Sequence, residues 1–327
     1  MRLLALVLVV ASSLPAQGTL QFTQAKEVDL GAPASCDYLT FDASSRHLLI
    51  AHGTKIDIVD VDKGEKVGSV DGLEGAHGAV FVPELKLGFA TSGRKNTLVV
   101  FDPAWKVTKE IATGTGPDAL LWVSTAKEVW TMNHRAGTVT CVDSASLEVK
   151  ATIEVGGTLE SAVEWPAKGL VFVNVEDKSL VAEIDIGKHA LVKKHELGSA
   201  KSPTGLALDG KNGTLFCGCD EKLAVLDAAN GKVLATPAIG KGCDAVAFDA
   251  EKGLVFASCA DGTTTVIRDS EGYAVAGKID TVPRGKTCTL DPKSHVLWIA
   301  ARTMAKDGVR AVAFAPASAA KDADVKK

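Results

Sequence analysis

Residues able to bind a ligand or a metal ion recur at a regular interval along the chain. Seven short apolar segments begin 40 to 44 residues apart, and polar or charged residues stand at their starts. These residues are Asp37, His77, Asp118, Glu160, Thr204, Asp244 and Lys286, with Arg284 close to the last. Carboxylates, an imidazole and basic groups that converge in one place form a ligand site in an otherwise apolar scaffold. Such a site requires a fold that brings the seven segment starts together.

The seven segments are part of a longer repeat. Each one, such as "DYLTFD" from Asp37 or "DAVAFD" from Asp244, is followed by a turn and a second apolar run such as "HLLIAH" or "LVFASC". A third apolar run and a more polar fourth run complete each unit. Four short strands per unit, rich in β-branched residues, are typical of a propeller blade. Seven units predict an all-β, seven-bladed β-propeller with four antiparallel strands per blade.

The innermost strand of each propeller blade lines the central channel, so the loop before that strand lies at the channel mouth. The segment starts are therefore predicted to meet there. The candidate ligand-binding residues are His77, Asp118, Glu160, Asp244, Arg284 and Lys286. A solvated channel mouth is also polar without binding any ligand, and this alternative stays open.

Histidine spacing gives little support to a metal site. His52, His77 and His134 fall on loops expected to share the channel-mouth face. A metal needs several ligands at fixed distances, and no His-x-His spacing is present. The remaining histidines are expected to be solvated beside turns or on outer strands; they are His47, His189, His195 and His295.

Aspartates that end the third run of five units form a second regular set. They are Asp60, Asp102, Asp143, Asp185 and Asp227. Each precedes a turn such as "VDKG" or "AANG", where an aspartate side chain accepts backbone N–H bonds. We therefore interpret them as turn residues and not as a ring of ligands.

The two ends of the repeat complement each other. The seventh unit ends near Pro316 after only three strands, and "QAKEVDLG", residues 24–31, is an unassigned strand before the first unit. Placing that strand on the outer edge of the last blade closes the ring and covers the open edge. The sequence therefore predicts that the N-terminal strand closes the propeller.

Two segments show a family resemblance. "GLVFVNVEDKSLVAEID" (169–185) and "GFATSGRKNTLVVFD" (88–102) are similar to the YVTN-family repeat, in which an apolar pair, Tyr-Val-Thr-Asn, a short loop and a Val-rich strand ending in Asp follow one another. The resemblance extends over all seven units, although none contains the literal tetrapeptide. It implies a propeller of exported type, and a shared fold implies no particular activity.

The ends and the overall charge indicate the compartment and exclude some partners. Residues 1–18 combine Arg2, an apolar run from Leu3 to Ala11 and small residues, as in a secretory signal peptide. We therefore expect a single propeller domain over 19–316, a disordered tail over 317–327, and a periplasmic or extracellular protein without a membrane span.

The 36 basic and 40 acidic residues, evenly spread, do not favour a nucleic-acid partner. We expect a monomer.

Seven cysteines are an odd number for an exported chain, so at least one is unpaired within it. In the sixth unit, a hairpin in which Phe248 faces Leu254 also places Cys243 opposite Cys259, at the separation of a cross-strand disulfide. Pairing of Cys243 with Cys219 is the alternative. The sequence favours a structural disulfide over redox chemistry, with Cys243 and Cys259 as its candidates.

Two functions remain open from the sequence. The first is a non-catalytic exported scaffold that binds a protein or small-molecule ligand through channel-mouth loops and has no cofactor. The second is a lactonase-like or lyase-like enzyme whose divalent metal is held by Glu160, Asp244 and either Asn174 or Asp118. The first is preferred because signatures such as Gly-x-Ser-x-Gly and His-Glu-x-x-His are absent.

Overall fold

The computed structural model describes residues 19–270, 272–303 and 308–317. Within these residues, 28 strands form seven four-stranded antiparallel sheets, the blades of a propeller. The proposed signal peptide, residues 1–18, and nearly all of the proposed tail lie outside the described residues. No helix in the described ranges is long and apolar enough to cross a membrane.

The strands follow the blades in chain order, apart from the first strand, β1 (Phe22–Gly31). Blade 1 consists of β2 (Cys36–Asp42), β3 (His47–His52), β4 (Lys55–Asp60) and β5 (Glu65–Asp71). Blade 2 consists of β6 (Ala76–Val82), β7 (Leu87–Ser92), β8 (Thr97–Phe101) and β9 (Val107–Ala112). Blade 3 consists of β10 (Pro117–Val123), β11 (Glu128–Asn133), β12 (Thr138–Asp143) and β13 (Glu148–Glu154). Blades 4 and 5 consist of β14 (Leu159–Trp165), β15 (Leu170–Val175), β16 (Leu180–Asp185), β17 (Ala190–Glu196); and β18 (Gly205–Asp209), β19 (Thr214–Gly218), β20 (Leu223–Asp227), β21 (Val233–Ala235). Blades 6 and 7 consist of β22 (Cys243–Asp249), β23 (Leu254–Cys259), β24 (Thr263–Arg268), β25 (Val275–Asp280); and β26 (Thr287–Asp291), β27 (Val296–Thr303), β28 (Gly308–Pro316) with β1. Two 3₁₀ turns span Pro166–Lys168 and Glu176–Lys178.

The hydrophobic core lies between the blades and not within them. Seven clusters of buried apolar side chains are present, and each joins two neighbouring blades. Trp130 of blade 3, for example, packs in one cluster with Val173 of blade 4. A single four-stranded sheet has two apolar faces and cannot bury both alone, so each blade needs both neighbours. The fold is therefore stable only as a closed ring.

Strand β1 closes this ring, as the sequence predicted. It pairs antiparallel with β28 from Phe22 opposite Pro316 to Gly31 opposite Val309, so it begins two residues earlier than expected. Val28 and Leu30 are each 6% exposed and pack between blades 7 and 1. The last blade thus takes its outer strand from the other end of the propeller domain.

The recurring aspartates are turn residues, as predicted. Asp60 Oδ1 accepts hydrogen bonds from the backbone N–H groups of Asp62 and Lys63, and Asp143 Oδ1 accepts them from Ala145 and Ser146. The backbone N–H of Lys63 and that of Ser146 hold the pKa of Asp60 and that of Asp143 below the usual range. These carboxylates are occupied by the turns that lead into the outer strands.

The hairpin register assumed for the cysteines was wrong by one residue. Phe248 pairs with Val255, not with Leu254, and a register shift between Cys243 and Ala245 then brings Cys243 opposite Cys259. All seven cysteines are buried and carry free thiols in this structure. The two residues are therefore neighbours for a different reason from the one expected, and their disulfide stays a prediction.

The prediction of solvated histidines was also wrong. His195 is 3% exposed with Nε2 2.7 Å from Glu183, and His295 Nδ1 lies 2.7 Å from Asp249. The ring of His189 lies 2.8 Å from the buried Glu128, and His47 packs against the Trp105 ring. Carboxylates and aromatic rings on neighbouring strands hold these side chains in the blades. No sequence spacing identifies those partners.

Candidate ligand site at the channel mouth

Bulges at the starts of the inner strands position the candidate residues. The pairing of β2 with β3 skips from Cys36 to Leu39, and equivalent shifts occur at the starts of β6, β10, β14 and β22. A bulge adds an unpaired residue and redirects its side chain, which is why bulges are common beside functional sites. The bulged segments contain Asp37, His77, Asp118, Glu160 and Asp244.

Four side chains form a continuous row across blades 1, 2 and 3. His77 Nδ1 lies 2.6 Å from Asp37 Oδ2 and 3.1 Å from Asp118 Oδ1. His134, in the turn after β11, lies 3.8 Å from the other oxygen of Asp118 through its own Nδ1. Asp118 therefore stands between two imidazoles.

Glu160 of blade 4 continues the row and returns it to blade 1. His134 Nδ1 lies 3.0 Å from Glu160 Oε1, and the Tyr38 hydroxyl donates a 2.9 Å hydrogen bond to Glu160 Oε2. Because Tyr38 follows Asp37 in the chain, the row closes into a circle. We call Asp37, Tyr38, His77, Asp118, His134 and Glu160 the mouth circle.

The carboxylates of the mouth circle hold both imidazoles in the charged form. Burial lowers the pKa of His77, but its contacts with Asp118 and Asp37 outweigh this and raise it to about 10. The bond to Glu160 raises the pKa of His134 to about 9. Burial and the charge of Asp118 in turn raise the pKa of Glu160, because His134 and Tyr38 compensate only part of its desolvation. Both imidazoles are therefore cations at neutral pH.

A cavity of about 540 Å³ opens above the mouth circle. Asp37, His77, Asp118 and His134 line it, and both imidazole Nε2 atoms lack a hydrogen-bond partner among the described residues. The remaining lining residues include three arginines: Arg94, Arg135 and Arg302. Arginines and imidazolium groups around one opening favour an anionic ligand.

Glycines allow this arrangement. A Cβ on Gly93 would lie 2.8 Å from His77 Nε2, and one on Gly116 would lie 2.9 Å from Arg135 Cγ. The imidazole and the arginine stem therefore occupy space that any other residue would fill. Glycine at these positions is required for close approach and not only for turn geometry.

The other predicted site residues lie apart from this cavity. Lys286 Nζ is 2.6 Å from Asp244 Oδ2, and burial raises the pKa of Asp244 while Asp37 and Asp118 raise it further. Neither Lys286 nor Asp244 nor Arg284 lines the cavity. Of the six predicted positions, three belong to the mouth circle, Asp244 and Lys286 form an ion pair between blades 6 and 7, and Arg284 belongs to neither group.

The set of metal ligands considered for an enzyme is not assembled. Asn174 is fully buried and its amide donates to the carbonyl oxygens of Thr204 and Gly205, at 3.1 and 2.9 Å. Asp244 is paired with Lys286, and among the described residues it shares no group of possible metal ligands with Glu160. Asn174 therefore ties blade 4 to blade 5.

Among the described residues, two donor triads at the mouth do have the spacing of metal ligands. They are Asp37 with His77 and Asp118, and Asp118 with His134 and Glu160. A protonated imidazole nitrogen has no lone pair for a metal ion. Without an ion the carboxylates hold these nitrogens protonated, so a metal ion would bind at either triad only by displacing the proton.

Loss of the Asn174 tie is expected to destabilise the fold. Asn174→Ala removes the side-chain donor to two buried carbonyl oxygens, of which that of Thr204 keeps the backbone N–H of Ser161, so we expect the free energy of unfolding to fall by about 1–3 kcal/mol. Urea unfolding measures this loss. Asn212→Ala, which changes an amide in a surface turn, is the control and should cost about 1 kcal/mol or less. Equal losses in the two variants would contradict the tie.

The mouth circle also predicts how stability depends on pH. The pKa of His77 and that of His134 are raised on folding, so their contribution is complete below about pH 6.5 and is lost as pH rises toward 9 and 10. We therefore expect the melting temperature to decrease across this window. Thermal unfolding of the wild type and of His77→Gln/His134→Gln measures the effect, and the variant should show a flatter profile. A parallel decrease in both would contradict the assignment.

Neither the protein-family models nor the curated proteins compared with the chain gave a match. The family resemblance of the repeats therefore stays a prediction, while the seven-bladed propeller is observed directly. Any functional conclusion rests on the geometry of the channel mouth.

Proposed function

We propose that this protein is an exported, non-catalytic β-propeller of YVTN type that binds a small anionic ligand in the channel-mouth cavity. The observation that carries the proposal is the pair of imidazoles at the cavity. Each is fixed through Nδ1 by carboxylates, and each has Nε2 without a partner among the described residues. An imidazolium held in this way is a positioned donor for an anion.

Charge around the opening supports an anionic ligand. Arg94 and Arg135 are exposed beside the cavity, and their stems pack across Gly75 and Gly116. Guanidinium groups bind carboxylates and phosphates through two parallel hydrogen bonds. The chain as a whole has a formal charge of −4, so the positive mouth is a local feature.

Catalysis is less well supported by the same residues. A general base needs a neutral imidazole near the working pH, whereas His77 and His134 are held as cations. The thiol of Cys36, which lines the cavity, has a pKa raised by burial and is a poor nucleophile. A binding role requires neither group to react.

Export of the protein is part of the proposal and is supported by the sequence of residues 1–18. A basic residue, an apolar run and small residues in that order are the features that direct secretion. An exported receptor would meet its ligand outside the cytoplasm.

Calorimetric titration of the mature chain tests the proposal. Succinate, acetate and inorganic phosphate are titrated at pH 7 and low ionic strength, and at least one is expected to bind. Gly93→Ala should weaken that binding by about tenfold or more, because the new Cβ would displace the His77 ring. Gly187→Ala is the matched control, since its Cβ would have no neighbour closer than 3.6 Å. Absence of binding by all three anions would refute the proposal.

A further inference from the structure

Cationic groups lie at two separate ends of the mouth cavity. Arg302 on β27 of blade 7 forms one end. Arg94 and Arg135, in the turns of blades 2 and 3, stand at the other with His77 and His134. Blades 7 and 3 are three positions apart in a ring of seven, so Arg302 and Arg135 come from nearly opposite sides of the channel.

The wall between the two ends carries small and mainly uncharged groups. Blade 1 and the segment before it contribute Pro33, Ser35, Gly53 and Thr54 to the cavity lining. Asp37, the one charged residue from this side, is 2.6 Å from His77 and is therefore neutralised locally. A ligand spanning the cavity would meet hydroxyl groups in its middle and cations at its ends.

Arg302 is held in place at its end. Its Nη2 donates a 3.3 Å hydrogen bond to the carbonyl oxygen of Cys36, and the residue is half-buried. The guanidinium has further N–H groups for a ligand, since it carries five donors. An anchored arginine loses little additional freedom when an anion binds to it.

The arginines set the charge of the ligand. Asp37, Asp118 and Glu160 are in contact with the two imidazoles, and Asp244 is paired with Lys286. Arg94, Arg135 and Arg302 line the cavity and have no carboxylate partner among the described residues. A ligand with one acidic group for Arg302 and a second for Arg94 and Arg135 would neutralise both ends, and such a ligand is a dianion.

We propose that the ligand is a small dianion with two separated acidic groups, one bound at Arg302 and the other between Arg94 and Arg135. The inference rests on the proposed anion-binding function and specifies its ligand class. A linear dicarboxylate spans both ends. A monocarboxylate or a compact dianion such as phosphate reaches only one, so it leaves the other end unneutralised.

A chain-length series tests the two-ended site. Dicarboxylates from malonate to adipate, the monocarboxylates of equal length and inorganic phosphate are titrated into the mature chain at pH 7. We expect one dicarboxylate to bind at least about 100-fold more tightly than its monocarboxylate, because it gains a second set of charge-assisted bonds. Arg302→Gln and Arg135→Gln should each remove most of that advantage.

The single and double variants distinguish the outcomes. If both arginines hold one ligand, Arg302→Gln/Arg135→Gln should leave the dicarboxylate no tighter than its monocarboxylate. Equal affinity of the wild type for the two classes, or tighter phosphate binding, would overturn the dianion inference and leave the anion receptor intact. Failure of every anion to bind would overturn both. Lys293→Gln, an exposed cation outside the cavity, is the charge control and should leave the preference unchanged.

Discussion

A chain that begins at Ala32 and so lacks β1 is expected to lose at least about 5 kcal/mol of unfolding free energy and to aggregate. Deletion removes the burial of Val28 and Leu30, about 1.5–3 kcal/mol each, and eight residue pairs with β28. It also leaves β28 as an open edge. Because native domains have only about 5–15 kcal/mol in total, this loss is close to global unfolding. Circular dichroism and guanidinium unfolding measure it.

A transposed strand gives the matched control. Phe22 lies opposite Pro316, so residues 22–31 can be placed after residue 316 through a two-residue Asn-Gly turn. The strand then re-forms the same antiparallel pairing with β28, and most of the lost stability should return. Full stability of the deleted chain, or no recovery in the transposed chain, would show that β1 does not close the ring by edge pairing.

The fold could be predicted because the same four-strand pattern recurs seven times in the sequence. The interval of 40 to 44 residues, the four short runs per unit and the missing strand at the end of blade 7 each depend on local patterns. The prediction of residues 24–31 as the closing strand followed from counting strands. It required no knowledge of side-chain contacts, so it was correct to within two residues.

The site was predicted only in part because two sets of loops build it. His77, Asp118 and Glu160 begin inner strands, and sequence alignment of the repeats finds them. Arg94 and Arg135 lie instead in the turns between the second and third strands of their blades. Because the strands of a blade alternate in direction, these turns lie on the same channel-mouth face as the starts of the inner strands. The sequence already indicates this, since it places His134 in such a turn on that face, although His134 is not among the predicted site residues.

A bulge explains the error in the hairpin register of blade 6. A bulge shifts the register by one residue, and a one-residue shift exchanges the two faces of a strand. The shift between Cys243 and Ala245 invalidated the assumed hairpin register yet preserved the cysteine neighbours. The same device brings Asp37 and His77 toward each other. No residue pattern in the sequence identifies these bulges.

Replacing both mouth imidazoles is expected to have the largest effect on ligand binding. In His77→Gln/His134→Gln, an anion loses two charge-assisted hydrogen bonds of about 1.5–3 kcal/mol each, so affinity for the best dicarboxylate should fall by about 100-fold or more. The double variant also lacks the positive charge of the imidazoles that compensates Asp37, Asp118 and Glu160. Calorimetric titration at pH 7 measures it.

The pH dependence of binding shows whether the imidazoles act as cations. Affinity of the wild type should decrease as pH rises toward about 9 and 10, the pKa values of His134 and His77, because the deprotonated rings no longer attract an anion. The double variant should bind weakly with no such decrease. His295→Gln removes a histidine that is paired with Asp249 away from the cavity, so it should bind as the wild type does. If His295→Gln weakens binding as much as the double variant, the effect comes from loss of stability and not from the mouth. If the double variant keeps wild-type affinity, the anion is held by the arginines alone, and if it keeps the pH dependence, that dependence does not come from the imidazoles.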